Sequence, residues 1–461
     1  MSVLLTHGYF IHEDEKEQKI MRPYPPLGIL YISSYLNNQG ISNSVFDTTF
    51  SSTEEFKSHI ITERPMIIAF YTNLMTKVKV IELISFIKST PEIKHIKIIL
   101  GGPDVTHNCD KYLLNGADVI VIGEGEQTMA ELVPALEKNH DLNLIDGIAF
   151  FNSNQTLIRT KGREKMKSLE DLPLPNRAAI PIEKYLETWK NFHGQSSMTV
   201  STQRGCPYTC KWCSTAVYGQ SYRRRPANKV AAELKYLKET YKPDAVWFVD
   251  DVFTVSHKWL QEFHDEVIAQ DAVIPFECIT RAERLNDEVL ALLKNAGCFR
   301  IWIGAESGSQ DIIDEMDRRV DVDVVKTMIQ KTNAFGIETG TFIMLGYPKE
   351  TIEDINKTIQ YLKDANPTHY TITIAYPIKG TGLYQQIESA ITIQPEWHLS
   401  TDRDIDFKRT YTRQFYDYAV ERVSLEVRWH KLKLLNKHNS YPGIKTKLKS
   451  LYLNFRMKQS Q

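Results

Sequence analysis

The sequence has no excess charge of either sign, no long hydrophobic run and few cysteines, and each absence excludes a class of protein. Its 56 basic and 57 acidic residues leave a formal net charge of −1, so no overall field attracts nucleic acid, and we expect no nucleic-acid partner. No apolar run reaches the roughly 18 residues of a membrane span, and the N-terminus lacks a signal-sequence pattern. We therefore expect a cytoplasmic protein.

Cysteine is scarce, with six residues in a chain of 461, which excludes a disulfide framework. Cys109, Cys278 and Cys298 are scattered singly, and we assign them no chemistry. The length and the ordinary hydrophobic content of 42% indicate two or three globular domains.

The first 135 residues alternate short apolar runs with amphipathic stretches, which predicts a parallel sheet covered by helices on both faces. Such folds bind ligands at the carboxyl ends of their strands. Small or polar residues follow the predicted strands there, including Tyr71, Thr72, Asn73, Gly101, Gly102, Pro103, Gly123, Gly125 and Glu126.

The rest of the chain falls into three parts. Between residues 136 and 196 the alternation fades, and Pro173 and Pro175 favour an interdomain linker. Six further strand–helix units predict a partial (β/α)6 barrel over residues 197–394, with its functional groups at the strand C-termini. Residues 395–461 are predicted to form a helical C-terminal extension. The fold class is therefore α/β.

Three cysteines stand close together just after the first predicted barrel strand. Cys206, Cys210 and Cys213 have the spacing C-x3-C-x2-C. Three thiolates on one loop can bind three irons of a cubane cluster and leave the fourth iron open to chemistry. A closed zinc site would need a fourth ligand, and C-x3-C is unusual in zinc ribbons. Arg204 and Lys211 place positive charge beside these thiols.

With this motif the chain resembles the radical S-adenosylmethionine (SAM) enzymes, and among them the subgroup with an N-terminal cobalamin-binding domain. The resemblance extends over about residues 1–425. It is similar to the group that contains the anaerobic magnesium-protoporphyrin ester cyclase and the phosphorus methylases. Besides the cysteine loop, it rests on residues 22–28, 101–103, 123–126, 222–223, 248–254, 281, 304–308 and 345–351.

The resemblance implies three cofactors and a set of residues that contact them. It implies a [4Fe–4S] cluster on the three cysteines, SAM bound at the open iron, and cobalamin on a Rossmann-like (flavodoxin-like) N-terminal domain. For SAM it implies Trp212 near the adenine, Arg281 at the carboxylate, Glu306 at the ribose or ammonium group, and Gly346 and Pro348 beneath the adenine. Asp250 and Asp251 stand where the family usually has a glycine-glutamate motif.

For cobalamin, the resemblance implies a cradle at the strand ends of the first domain. Its expected contacts are Pro26, Gly28, Tyr71, Thr72, Asn73, Gly101, Gly102, Pro103, Gly123, Gly125 and Glu126. The D-x-H-x-x-G motif that supplies a histidine to cobalt in some cobalamin proteins is absent from the sequence. We therefore expect cobalamin without a protein histidine on cobalt, and the alternative is a fold that has lost the cofactor.

Three functions follow from these observations. The first is cobalamin-dependent methyl transfer to an unactivated carbon or a phosphorus of a small molecule, with a flavodoxin or ferredoxin as reductant. The second is a radical cyclase or oxidoreductase that uses the same cofactors. The third is a non-catalytic metal-binding module, against which the polar strand ends of the barrel argue.

The C-terminal extension has two notable stretches. Residues 407–429 resemble the extension found in relatives of the protoporphyrin ester cyclase, and residues 431–461 contain eight Lys or Arg and no acidic residue. Ile444, Leu448, Leu451 and Phe455 recur there at helical spacing. A basic amphipathic helix can make weak contact with anionic lipid, but we favour a terminal helix docked on its own domain.

Overall fold

The structure is a computed structural model that describes residues 3–214 and 218–460. The chain folds into two compact units. One comprises Met1–Pro207, Ser214–Trp247 and Glu396–Thr401, and the other comprises Tyr208–Cys213, Phe248–Pro395 and Asp402–Gln461. Within the described residues, no helix is both long and apolar enough to cross a membrane.

A seven-stranded sheet in the first unit has the order β2-β1-β3-β4-β5-β6-β7. Its strands are β1 (Val3–His7), β2 (Asn43–Phe46), β3 (Ile67–Tyr71), β4 (Lys97–Gly101), β5 (Val119–Val121), β6 (Ile148–Phe151) and β7 (Leu157–Arg159). The first five are parallel, in the flavodoxin-like order 2-1-3-4-5. Each predicted strand of this domain is confirmed to within a few residues.

The predicted parallel sheet of residues 1–135 is extended at one edge by two strands that were not predicted. β6 and β7 are antiparallel to their neighbours and lie within residues predicted to be a linker. They are joined by a tight turn in which Asn152 Oδ1 accepts hydrogen bonds from two backbone N–H groups. A short hairpin of this kind needs no crossover helix, so the strand–helix period does not reveal it.

The parallel strands are buried on both faces, as a doubly wound fold requires. Leu4, Phe70 and Leu100 pack into one hydrophobic core, while their neighbours Leu5 and Ile99 pack into another. The helices of this region are α1 (Glu15–Ile20), α2 (Leu27–Asn38), α3 (Thr53–Glu63), α4 (Lys77–Ser89), α5 (Cys109–Leu114), α6 (Gly125–Glu137) and α7 (Ile182–His193).

The second sheet has six strands in the order β15-β14-β13-β12-β11-β8, which confirms the predicted partial barrel. They are β8 (Ser197–Val200), β11 (Ala245–Phe248), β12 (Phe276–Thr280), β13 (Cys298–Glu306), β14 (Glu338–Leu345) and β15 (His369–Ile374), with β9 (Gln203–Arg204) and β10 (Arg223–Arg224) forming a separate small ladder. Strands β12 to β15 pair in parallel.

Helices separate the barrel strands along the chain. They are α8 (Ala227–Thr240), α9 (His257–Ala269), α10 (Asp287–Asn295), α11 (Gln310–Glu315), α12 (Val322–Ala334), α13 (Ile352–Ala365) and α14 (Gly382–Ile387). Side chains cap their N-termini: Asn286 accepts from Val289 N–H at α10, and Thr351 and Asp354 form a reciprocal capping box at α13.

The C-terminal extension ends in two helices, as predicted, and a short strand pairing precedes them. β16 (Ile391–Ile393) pairs with β17 (Asp406–Phe407) before the chain enters α15 (Arg413–Leu434) and α16 (Tyr441–Gln459). α16 packs against α15, with Thr446, Ser450, Leu453 and Met457 buried. The helix is therefore docked, as we favoured.

Candidate active site

The cysteine loop begins and ends at a narrow neck in the first unit. β9 and β10 pair there, with Arg204 opposite Arg223, and Cys206 forms an isolated bridge with Gln220. Gly205 has φ +81°, and a Cβ on it would lie 2.5 Å from the carbonyl oxygen of Ser221. Only glycine fits this close approach of the two chain segments.

The three cysteines of the loop differ in exposure. Cys206 is buried, Cys210 is half-buried and Cys213 is exposed. In the described parts of the chain, no three His, Cys, Asp or Glu side chains are gathered as a metal site. The donor set itself suits an iron–sulfur cluster, because soft thiolates are its usual ligands. Their role as ligands stays a prediction.

Arg281, predicted to bind the SAM carboxylate, lies beside the sulfur of Cys210. Its Nη1 is 3.5 Å from Cys210 Sγ, and its guanidinium stacks 3.9 Å from the centre of the Tyr208 ring. Its Nη2 donates to the carbonyl of Arg318 at 2.5 Å. A buried guanidinium held in this way would stabilise negative charge on a sulfur ligand or on a carboxylate next to it.

Arg204 and Lys211, whose positive charge we expected beside the cysteine thiols, bind other groups of the protein. Lys211 Nζ donates to the carbonyl of Glu315 at 3.0 Å, and Arg204 forms ion pairs with Glu124 and Glu126. The sequence revealed the charges but not their partners, which are more than 70 residues away along the chain.

A cavity of 280 Å³ opens at the carboxyl ends of β13 to β15 in the second unit. It brings together two predicted SAM contacts, Trp212 and Glu306, and is otherwise lined by Phe342, Ile343, Met344, Thr371, Thr373, Tyr376 and Ile378. This is the strand edge at which barrels of this kind place their chemistry. Three aromatic residues and one carboxylate suit a ligand with a flat base and a cationic group.

Glu306, in the cavity wall, has an unusual backbone conformation and a shifted pKa. It adopts φ +67°, an uncommon conformation for a non-glycine residue. Burial raises its pKa to about 7, although Arg318 and Arg281 oppose that rise. Arg318 Nη1 is itself buried and has no hydrogen-bond partner among the described residues. The site therefore has a carboxyl group, that of Glu306, that titrates near neutrality, and a buried N–H group of Arg318 that can donate a hydrogen bond to a ligand.

Gly346 and Pro348, for which the resemblance implies a position beneath the adenine, lie in the turn after β14, and that contact stays a prediction. Gly346 has φ +77°, and its N–H donates to Glu350 Oε2 at 2.6 Å. Glu350 is fully buried, and burial raises its pKa to about 8. Its Oε1 has no hydrogen-bond partner in the described chain. Glu350 lies within the 345–351 motif, but the resemblance assigns it no role.

Asp250 and Asp251 follow β11, where the family motif is replaced. Asp250 is 2% exposed, and Asp251 is exposed as a whole residue. Burial of its carboxyl group and the neighbouring charge of Asp250 raise the pKa of Asp251. Their contact with SAM stays a prediction.

The carboxyl edge of the first sheet brings Thr72 and Gly102 together. Gly102 has φ +114°, and a Cβ on it would lie 2.3 Å from the carbonyl oxygen of Thr72. Thr72 N–H donates to the carbonyl of Gly101 at 2.7 Å. Thr72 Oγ1 is buried without a hydrogen-bond partner in the described residues. A buried hydroxyl left without a partner, beside exposed backbone, fits the polar edge of a large cofactor.

The other predicted cobalamin contacts surround this edge in the first unit. Pro26 and Gly28 stand at the start of α2, and Tyr71 ends β3, with a ring atom 4.0 Å from a Cβ placed on Gly28. Asn73 begins the turn into α4, Pro103 precedes a 3-10 turn, and Gly123 has φ +85° before Gly125 opens α6. These contacts remain predictions.

One histidine at this edge is already engaged. His7, the last residue of β1, has Nε2 2.9 Å from Asp47 Oδ1, and its Nδ1 accepts from Tyr9 N–H at 3.2 Å. With both ring nitrogens occupied, His7 has no lone pair free for a metal. This agrees with the missing histidine motif.

Glu126 and its neighbour Glu124 have a different partner from the one we predicted. Both are buried, and Arg204 bridges them: its Nη1 is 3.1 Å from Glu124 Oε2 and 3.2 Å from Glu126 Oε2, and its Nη2 bonds Glu126 Oε1. Arg223 Nη1 bonds the other oxygen of Glu124. Both oxygens of Glu126 are thus used within the protein.

Two stretches of the chain match models of known domain families. Residues 200–362 match the radical SAM superfamily, and residues 19–133 match the B12 binding domain. The chain is a radical SAM enzyme with a B12-binding domain. The predictions of family, fold class and enzyme class are therefore confirmed, and the predicted cofactors are those of these two domains.

Relatives of this radical SAM enzyme include both predicted reaction types. It is 28% identical over 397 residues to an uncharacterized methyltransferase of Pyrococcus horikoshii, covering 82% of each chain. It is 26% identical over 404 residues to the anaerobic magnesium-protoporphyrin IX monomethyl ester cyclase of Rubrivivax gelatinosus, covering 85% of this chain and 71% of that one.

A solved structure shares the fold. The cobalamin-dependent SAM radical enzyme OxsB, solved with aqua-cobalamin bound, aligns with a TM-score of 0.75 at 16% identity over 100% of this chain and 71% of that chain.

Proposed function

We propose that this radical SAM enzyme is a cobalamin-dependent methyltransferase that acts on an unactivated carbon or a phosphorus of a small molecule. The observation that carries the proposal is the cavity at the strand ends of the barrel, where Trp212 follows Cys210 in the cysteine loop and faces the same space as Glu306. When bound, the cluster and SAM supply a carbon-centred radical, and cobalamin supplies a methyl group.

The protein's own residues hold and orient these groups. Cys206, Cys210 and Cys213 would bind the cluster, and Arg281 beside Cys210 would stabilise the negative charge there. Trp212, Phe342 and Met344 give the cavity an apolar wall that excludes water. Glu306, with a pKa of about 7, can accept a hydrogen bond from the ribose or the ammonium group of SAM. At the other sheet, the Thr72 hydroxyl and the Gly102 backbone would hold cobalamin.

Cyclisation without net methyl transfer is the second candidate, favoured by the similarity to the protoporphyrin ester cyclase. Anaerobic incubation of the full chain with SAM, hydroxocobalamin and dithionite distinguishes the two. We expect both 5′-deoxyadenosine and S-adenosylhomocysteine. Formation of 5′-deoxyadenosine alone would favour the cyclase, and formation of neither product would contradict both functions.

The cluster ligands are tested by substitution. Replacing Cys206, Cys210 and Cys213 together by alanine should abolish iron binding and visible absorption after anaerobic reconstitution. Cys109→Ala is the matched control. Cys109 is a buried cysteine of the B12-binding domain whose thiol donates to the Val105 carbonyl, so its substitution should leave the iron content unchanged. Retention of about four irons per chain in the triple variant would refute the assignment.

We also propose the reductant and the compartment. SAM cleavage consumes one electron, and a flavodoxin or ferredoxin is the donor that we infer, with dithionite as its substitute in the assay. Cysteine thiols serve as cluster ligands only when they are reduced, which favours a reducing compartment such as the cytoplasm. Failure of reduced flavodoxin and of reduced ferredoxin to support 5′-deoxyadenosine formation would overturn the first inference.

A weak contact of α16 with an anionic membrane surface is the last part of the proposal. Ile444, Leu448, Leu451 and Phe455 are 50 to 61% exposed on this docked helix, so the stripe does not cover the chain's own core. Residues 431–461 contain eight basic residues and no acidic one. An apolar stripe among basic side chains complements anionic lipid, to which each basic side chain near the surface contributes about 1 kcal/mol.

Vesicle sedimentation tests this contact. Binding should rise with the content of anionic lipid, fall with salt, and be lost in Leu448→Ser/Leu451→Ser. Leu144→Ser, which changes a leucine of the first unit that is 83% exposed, should bind like the wild type. Equal binding to neutral vesicles, or self-association through the stripe in gel filtration, would overturn the membrane contact.

A further inference from the structure

The neck of the cysteine loop is held by a buried cluster of four charged side chains in the first unit. We call Arg204, Arg223, Glu124 and Glu126 the Arg204 clamp. Arg204 is 4% exposed, Glu124 8% and Glu126 4%. Isolated charges of this kind are costly to bury, so the four side chains depend on one another.

The clamp connects two loops that serve different cofactors. Glu124 ends the glycine-rich loop between β5 and α6, and Glu126 lies in the first turn of α6, at the predicted cobalamin edge. Arg204 and Arg223 lie opposite each other on the two strands of the neck, and Arg204 stands two residues before Cys206. Glu124 accepts a hydrogen bond from each strand of the neck, so one carboxylate holds both sides of the loop that carries the cysteines.

The geometry leaves little freedom for Arg204. Its planar guanidinium contacts both oxygens of Glu126, and the rings of Tyr31 and Tyr218 lie 5.8 and 5.4 Å from it. A lysine could keep the charge but not this fork of hydrogen bonds. Any shift of the loop after β5 therefore shifts the backbone that leads into Cys206.

We propose that Arg204 is a positioning residue that couples cobalamin binding to the state of the iron–sulfur cluster. The inference rests on the proposed function, since it needs both cofactors to bind. Cobalamin that orders the loop after β5 would also order the two strands of the neck, because the clamp joins them. A cluster on Cys206 would order the same two strands through the backbone that leads into Cys206. Coupling of this kind is reciprocal, so each cofactor strengthens binding of the other by the same factor.

The test compares cobalamin affinity in two states of the full chain. Absorbance titration with hydroxocobalamin is carried out anaerobically on the protein with and without its reconstituted cluster, and iron content is measured in parallel. For the wild type we expect the cluster to strengthen cobalamin binding at least fivefold. Glu126→Gln and Arg204→Lys should reduce that ratio to less than twofold, while iron content is retained.

A second buried ion cluster provides the matched control. Glu233 bonds Arg177 Nη2 at 2.9 Å and Arg225 Nη1 at 2.5 Å, and these side chains are at most 4% exposed. This triad lies in the same unit but does not involve the loop after β5. Glu233→Gln should therefore keep the wild-type ratio, although it also disrupts a buried ion pair.

Each result has a distinct meaning. A wild-type ratio of one, an unchanged ratio in Glu126→Gln, or an equal loss in Glu233→Gln would overturn the coupling and leave the proposed function intact. Failure of the wild type to bind cobalamin or iron would overturn the proposed function itself. If Glu126→Gln does not fold, the double variant Arg204→Met/Glu126→Leu removes the pair without leaving either charge alone, and it should show the same loss of coupling.

Discussion

Gly102 has a conformation and a position that exclude any other residue. Its φ of +114° is strained for a side chain, and a Cβ would lie 2.3 Å from the Thr72 carbonyl oxygen. We expect Gly102→Ala to destabilise the B12-binding domain by about 1–3 kcal/mol and to weaken cobalamin retention on gel filtration, because the Thr72 segment must move.

Gly162→Ala is the control for this prediction. Gly162 is exposed, and a Cβ on it meets no atom within 4 Å. It should leave stability and cobalamin retention unchanged. Equal behaviour of the two variants would show that the Gly102 edge does not hold the cofactor.

The raised pKa of Glu350 predicts how the stability of the protein depends on pH. Burial raises its pKa to about 8 in the folded state, whereas the unfolded chain ionises it near its ordinary value. Between these values the unfolded state binds fewer protons, so stability falls as pH rises, by at most about 1.4 kcal/mol per pH unit. Glu350→Gln keeps an oxygen for the Gly346 N–H and lacks this titration. Its unfolding midpoint relative to wild type should therefore rise steadily from pH 5.5 to 7.5.

A change at an exposed acid separates this effect from general ones. Glu353 lies three residues away and is exposed, so Glu353→Gln should follow the wild type across the same pH range. Parallel curves for Glu350→Gln and the wild type would mean that Glu350 is already ionised in the folded protein.

Residue types predicted the chemistry at single positions but not the partners. The spacing of the cysteines and the glycine after a strand are local signals, and the structure places Trp212 and Glu306, two predicted SAM contacts, around one cavity. The bond between Arg204 and Glu126 joins residues 78 positions apart, and no local pattern encodes such a pairing. Glu350 was missed because a buried carboxyl group looks like any other acid in the sequence.

At the scale of elements, regular alternation was a good guide and irregular segments were not. The period of strand and helix located the parallel strands of both sheets, because each crossover requires a helix between them. It failed for β6 and β7 and for the pair β16 and β17, which are short antiparallel strands without a crossover. Amphipathic spacing found α16 but assigned no partner to its faces, and the face that docks contains Thr446 and Ser450 rather than the apolar stripe.

The contact between α15 and α16 gives a prediction at this scale. Glu426 accepts hydrogen bonds from Lys447 and Ser450 of α16, each at 2.7 Å, and from Lys363 at 2.8 Å. Burial opposes ionisation, but these hydrogen bonds lower the pKa of Glu426 to about 2. The stabilisation is thus present above its ordinary pKa and is lost as pH falls toward 2.

We expect Glu426→Gln to weaken docking of α16 by about 1–3 kcal/mol, since it removes a charged acceptor and leaves two lysines without it. Hydrogen exchange of the α16 amides at pH 7 should become faster. Glu421→Gln, which breaks an exposed pair with Lys449, should change exchange little. Unchanged exchange in Glu426→Gln would show that apolar contacts alone hold the helix.

At the scale of the whole molecule, the two matched families lie inside the predicted domains. Residues 19–133 and 200–362 fall within 1–135 and 197–394, while the compact units divide the chain elsewhere, between Trp247 and Phe248 for example. The predicted domain boundaries therefore stay predictions.

For the whole molecule we predict that cobalamin binds without a protein histidine on cobalt. The sequence has 13 histidines but no D-x-H-x-x-G motif. The histidine at the strand edge, His7, is held by Asp47 at 2.9 Å and by Tyr9 at 3.2 Å. If the His7 ring turned away to bind cobalt, the nearly buried Asp47 carboxylate would lose its hydrogen bond to Nε2. Metal binding by His7 would therefore have to replace an existing interaction.

Electron paramagnetic resonance of the cob(II)alamin-loaded full chain tests this. Nitrogen bound along the axis of cobalt splits the signal, and free cob(II)alamin with its own base attached provides the positive control. We expect no nitrogen splitting in the protein and no spectral change in His7→Gln. Nitrogen splitting that disappears in His7→Gln would identify His7 as the ligand, and splitting that persists would place another nitrogen on cobalt. The first result would contradict the inference from the engaged ring of His7, and the second would contradict the expectation of no nitrogen ligand on cobalt.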